Sequence, residues 1–122
     1  MTETEANPLL QRAVPIPFHR IRPAHVGPGV RAALAEAEAE LQALIADHAP
    51  RSYTGTVLRL EQITERLARV IRPASTLAGV MNTPEMRAAY DAVVPEFSAF
   101  FARIPLNAEL WAAVREAAES PE

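Results

Sequence analysis

Eleven prolines punctuate this chain, and their positions constrain what it can fold into. A proline ring holds φ at about −65° and leaves no backbone N–H to donate. It therefore suits extended arms and first helical turns, and is resisted in helix interiors and central strands. Four prolines, Pro8, Pro15, Pro17 and Pro23, fall within residues 7–23 and bias their predecessors toward extended geometry. Residues 1–22 are expected to form an extended arm. Leu9, Leu10, Val14, Ile16, Phe18 and Ile21 supply apolar anchors, so the arm should lie along a helical surface.

Between the remaining prolines, apolar residues recur every three or four positions, the spacing of a helix with one buried face. Val26, Val30, Ala33, Leu34, Ala37, Leu41, Leu44 and Ile45 mark a first helix. It starts between Pro23 and Pro28, ends near Asp47 and is stopped by Pro50; the firm start is expected at Pro28 because Gly27-Pro28-Gly29 weakens the first turn. A second helix is expected from Thr54, a plausible N-cap. Its stripe, Leu60, Ile63, Leu67, Val70, Ile71, Ala74, Leu77 and Met81, keeps phase across Pro73, which predicts a kink and not an end. Glu65 and Arg69 form an i,i+4 pair within it.

Thr83-Pro84-Glu85 is the clearest start signal: a capping hydroxyl, a proline in the first helical position and an acid at the positive end of the helix dipole. The third helix then runs through Pro95, again in phase, to Pro105. Asn107 caps a short fourth helix with Leu110, Trp111 and Val114 on its inner face. No sustained alternation and no Asn-Gly or Asp-Gly turn suggests a strand. The fold expected is all-α: an extended Pro-rich arm, three long, roughly antiparallel helices and one short helix. Residues 23–118 form the helical domain, and 119–122 a tail.

Composition narrows the function classes. Hydrophobic residues make up 49 % and charged residues 22 %, which suits one globular domain. With no cysteine, disulfides, thiolate zinc sites and a cysteine nucleophile are excluded. All 12 basic residues are Arg, so Lys Schiff-base and P-loop chemistry are excluded too. A net charge of −3 gives no reason to expect nucleic-acid binding. The acidic, polar start lacks the pattern of a secretory or mitochondrial leader, and no apolar run is long enough for a membrane span. The cytoplasm is the default expectation.

No catalytic constellation emerges. His19, His25 and His48 lack the i,i+4 spacing of a helical metal pair. Glu36, Glu38 and Glu40, like Glu61 and Glu65, read as solvated strips. Arg66, Arg69 and Arg72 read as a solvated face or inter-helix ion pairs more readily than as a phosphate site. Gly27-Pro28-Gly29 lacks the full phosphate-loop pattern, and no serine sits in a nucleophile elbow. No catalytic and no metal-binding residue is assigned. The one candidate site is a packing interface. The third helix presents Tyr90, Val93, Val94, Phe97, Phe100 and Phe101 over a wide arc, joined by Trp111. Either the core is broad, or a second partner packs there.

The ordered motifs also carry a resemblance. Asn7-Pro8-Leu9-Leu10 followed by Pro17-Phe18-His19-Arg20-Ile21-Arg22-Pro23-Ala24-His25-Val26 resembles the opening of the zinc-dependent M3 peptidases, the thimet-type oligopeptidases. Arg69-Val-Ile-Arg-Pro-Ala-Ser-Thr-Leu77, Asn82-Thr-Pro-Glu-Met-Arg-Ala-Ala-Tyr90, Val94-Pro95 and Asn107-Ala-Glu-Leu-Trp111 resemble its next helices, nearest the oligopeptidase A branch. The resemblance covers residues 7–116. It implies an N-terminal helical cap of a larger enzyme whose channel admits short peptides. The family's zinc ligands, a His-Glu-x-x-His helix and a later Glu, have no counterpart here, so no cofactor is expected in this chain. The remainder of the peptidase, with its catalytic domain, is the expected partner. The alternative is a stand-alone helical interaction domain that self-associates or binds a partner helix.

Overall fold

A computed structural model describes residues 7–10, 20–47, 50–81 and 83–120. The expectations for Val14, Ile16, Phe18, His19, His48 and the last two residues of the tail lie outside the described residues. The described part is all-α, and no strand occurs in it. A 3-10 turn, Pro8–Leu10, precedes α1 (Pro23–Ala46). A π-helical stretch, Tyr53–Leu58, runs directly into α2 (Arg59–Val80). α3 (Pro84–Arg103) and the short α4 (Ala108–Ala118) complete the chain.

Ion pairs record the helix directions. Moving two turns along α1 from Glu40 to Asp47 moves the partner back along α2 from Arg66 to Arg59, so α1 and α2 are antiparallel. Moving from Arg31 to Glu38 moves the partner forward along α3 from Glu96 to Arg103, so α1 and α3 are parallel. The result is an up-down-up bundle, as short connections favour.

The core divides into two clusters along the bundle. One joins Leu9 and Ile21 to Val26 and Val30 of α1, Ala74 and Leu77 of α2, and Met86 and Val93 of α3. The other joins Leu41 and Leu44 of α1, Ile63 and Leu67 of α2, Phe100 of α3 and Leu110 of α4. Every periodic stripe read from the sequence contributes to one or both.

Three features differ from expectation. α1 starts at Pro23, not Pro28. The His25 ring accepts a hydrogen bond from the Arg22 backbone N–H at 2.9 Å, which satisfies a donor at the helix entrance. Pro28 then sits inside the helix. It removes only the bond to Ala24, and both residues are exposed, so water can serve that carbonyl. The second correction concerns the cap of the second helix. Ser52, not Thr54, caps it, its hydroxyl accepting from Gly55 N–H at 3.0 Å. The wide π-helical turn shifts the entrance two residues upstream. The third is Trp111, expected on the inner face of the last helix. It is 52 % exposed, and Ala113 and Ala117 join Leu110 inside.

The other signals hold. Thr83 Oγ1 accepts from Met86 N–H at 3.2 Å, and Asn107 Oδ1 from Leu110 N–H at 3.0 Å. α2 and α3 continue through Pro73 and Pro95 without a break.

The arm is seated by a device the spacing did not reveal. Asn7, 3 % exposed, accepts from Leu9 N–H at 2.9 Å through Oδ1, which folds the 3-10 turn, and donates to the His25 carbonyl at 2.8 Å. Gly29 faces that turn. A Cβ there would come within 2.9 Å of Leu9 Cδ2 and 3.1 Å of Asn7 Nδ2. Glycine at this position is a matter of space: the arm and α1 touch where a side chain would stand.

Candidate functional site

α3 lies over the junction of the two core clusters, and that position accounts for its wide apolar arc. Val93 and Phe100 are buried, one in each cluster. Tyr90 and Phe97 are half-buried and touch both clusters, their rings 6.0 Å apart at 45°. Phe101 is half-buried on the second cluster and meets Phe100 edge-on at 5.7 Å. Val94 is half-buried outside both. The structure therefore brings six of the seven candidate interface residues together on α3, with five facing the chain's own core. Trp111 stands apart on α4.

The most exposed apolar side chains lie elsewhere. Val80 and Met81, at 77 % and 53 %, end α2 at one pole of the bundle. Leu106, at 82 %, and Trp111 flank the entrance of α4 at the other. Sequence reading missed Val80 and Leu106. Leu106 carried a signal: it directly precedes the Asn107 cap, a position from which an apolar residue can pack back onto the helix.

Several charged groups on the helices are paired with one another. Arg66 donates to Glu40 at 2.6 Å, and Arg31 grips Glu96 through two nitrogens. Arg72 holds both oxygens of Glu65, at 3.1 and 3.0 Å, while the expected partner Arg69 stands at 3.8 Å. The Arg72 guanidinium holds the Glu65 carboxyl below its ordinary range, chiefly by hydrogen bonding, and Glu65 in turn raises Arg72. Glu96 likewise raises Arg31. An open depression of about 750 Å³ follows this face, lined by Leu58, Glu61, Gln62, Thr64, Glu65, Arg66 and Arg69. All seven belong to one continuous helical stretch, so it is a groove on a helix face. Its Arg66 and Arg69 already face carboxylates.

His25 is engaged as a capping acceptor. No group of three or more His, Asp or Glu side chains converges as a metal site among the described residues. No helix among them is long and apolar enough to cross a membrane. What the described residues offer is packing surface.

Comparison with known proteins gives that surface a context. The model of the N-terminal domain of the neurolysin/thimet oligopeptidase family matches residues 30–122. The chain is 34 % identical over 110 residues to oligopeptidase A of Salmonella typhimurium, covering 90 % of this chain and 16 % of that protein. It is 38 % identical over 117 residues to a probable cytosolic oligopeptidase A of Arabidopsis thaliana, covering 96 % and 16 %. An organellar oligopeptidase A of the same plant matches at 38 %, covering 96 % and 15 %. The chain thus spans about a sixth of the length of the curated relatives it matches.

Proposed function

This chain belongs to the neurolysin/thimet oligopeptidase family, and from that premise we propose that it is a non-catalytic N-terminal helical domain of a zinc-dependent oligopeptidase. In this reading residues 23–118 are the helical cap, residues 1–22 its arm and 119–122 its tail. The domain helps to wall a channel in which the rest of the enzyme cleaves short peptides. Its partner is the catalytic remainder of the same protein, met through apolar surface on α3 and α4 that includes Val94 and Trp111. The same reading puts the protein in the cytoplasm.

The observation that carries this reading is coverage: the relatives match nearly the whole chain but only a sixth of themselves. Zinc belongs to the family's chemistry, and the described residues do not fit it. Their carboxylates do not converge, and those best placed are bound to arginine. We therefore assign zinc to the remainder of the enzyme and derive no catalytic step from this chain.

The test is peptide hydrolysis. The purified 122-residue chain should leave a quenched fluorescent short peptide intact, with or without added zinc. Exchanged for the matched stretch of the Salmonella enzyme, it should support cleavage that EDTA abolishes. EDTA-sensitive cleavage by the 122-residue chain alone would overturn the reading.

A further inference from the structure

Eight of the eleven residues of α4 are apolar, yet only one side of the helix is covered. Leu110, Ala113 and Ala117 face inward, toward α1 and the π-helical stretch. Ala108, Trp111, Ala112 and Ala118 are exposed and, at helical spacing, share the opposite side. A helix apolar around most of its circumference is characteristically covered on more than one side. Leu106 extends the same patch. It and Trp111 hold the two positions of a hydrophobic staple, but the pair is not closed over, and Leu106 remains 82 % exposed. The indole Nε1 instead donates to the Pro105 carbonyl at 2.6 Å, which fixes Trp111 on the outer side. Arg115 lies in the stripe and makes no ion pair among the described residues. The small alanines leave room for another helix backbone to come close.

We infer that the outer face of α4 docks an amphipathic helix from the polypeptide that follows this domain in the larger peptidase, with a carboxylate set opposite Arg115. The inference rests on the reading of the chain as part of such an enzyme and names the surface that joins the two. The family match reaches residue 122, just beyond α4, and the relatives are about six times longer than the matched stretch. In the proposed enzyme the polypeptide continues from the end of this helix. A helix joined to α4 by a short connection lies antiparallel beside it, on the side still open.

The chain has no cysteine, so Ala112→Cys installs a single thiol on the face in question. Its alkylation rate, relative to the guanidinium-unfolded protein and read on the peptide carrying residue 112, would be compared in two proteins. One is the 122-residue chain; the other is the same chain exchanged into the Salmonella enzyme. The expected result is rapid alkylation in the short chain and a slowing of about tenfold or more in the joined protein, as burial protects the site. Equal rates in a joined protein that still cleaves peptide would overturn this inference and leave the proposed function standing. A concentration-dependent dimer of the short chain that protects residue 112 and is dissociated by Trp111→Glu would also overturn it, naming a second copy as occupant. If the joined protein does not fold, a cysteine at the aligned position of the intact Salmonella enzyme yields the same reading: protected supports the inference, reactive ends it.

Discussion

One end of the bundle is closed by residues 7–10, brought back from outside the helical sequence, whereas the other is closed by α4, a helix in its own right. The arm end depends on a close fit. Leu9 enters the core, Asn7 bonds both its own turn and α1, and Gly29 leaves the space they occupy. The α4 end depends on regular helix packing. Leu110 enters the second cluster and Asn107 closes the first turn. A seal built on missing atoms is sensitive to added volume. A seal built on an inserted side chain is sensitive to removed volume.

The largest expected effect follows from removal at the α4 end. Leu110 is 3 % exposed, so Leu110→Ala should lower unfolding stability by about 2–5 kcal/mol in denaturant titration. At the arm end addition is the disruptive change. Gly29→Val should cost about 1–3 kcal/mol and raise amide exchange in residues 7–10 while leaving α4 protected. Comparable loss of protection at both ends would show that the two seals form one cooperative unit. Asn107→Ala deletes the cap of α4 and should cost about 0.5–2 kcal/mol, with a visible loss of helicity in its first turn.

The smallest effect is electrostatic and concerns the helix that spans both ends. In the folded protein Glu65 titrates below its ordinary value because Arg72 holds it. Its stabilising contribution is therefore present above the unfolded carboxylate range and lost as pH falls through the folded value. The Tm difference between the parent and Glu65→Gln should be small at neutral pH and vanish in acid. A difference that persists in acid would assign the effect to packing.

Much of this comparison was legible beforehand. Periodicity located every long helix, and Thr83-Pro84-Glu85 and Asn107 marked two entrances because a capping oxygen acts on its own backbone neighbours. The arm end was legible only as a tendency to pack. Gly29 reads as a weak point in α1, since a sequence shows the missing Cβ and not the leucine that fills its place. His25 was weighed as a metal ligand when its ring was needed three residues away. The cap at Ser52 is not legible in the sequence, because an α-helical count fails across a π-helical turn. At the candidate interface, residue type revealed the breadth of α3 but not its two clusters. Trp111 was turned inward by its hydrophobicity, although the Pro105 carbonyl draws its N–H outward.

The seating of the arm has a consequence for synthesis on the ribosome. Leu9 is made before every other member of its cluster, yet its core partners include Ala74, Leu77, Met86 and Val93. Residues 7–10 must therefore wait while most of the bundle is translated, because a segment can fold only against residues that have already emerged. The end of the bundle that begins first is finished late.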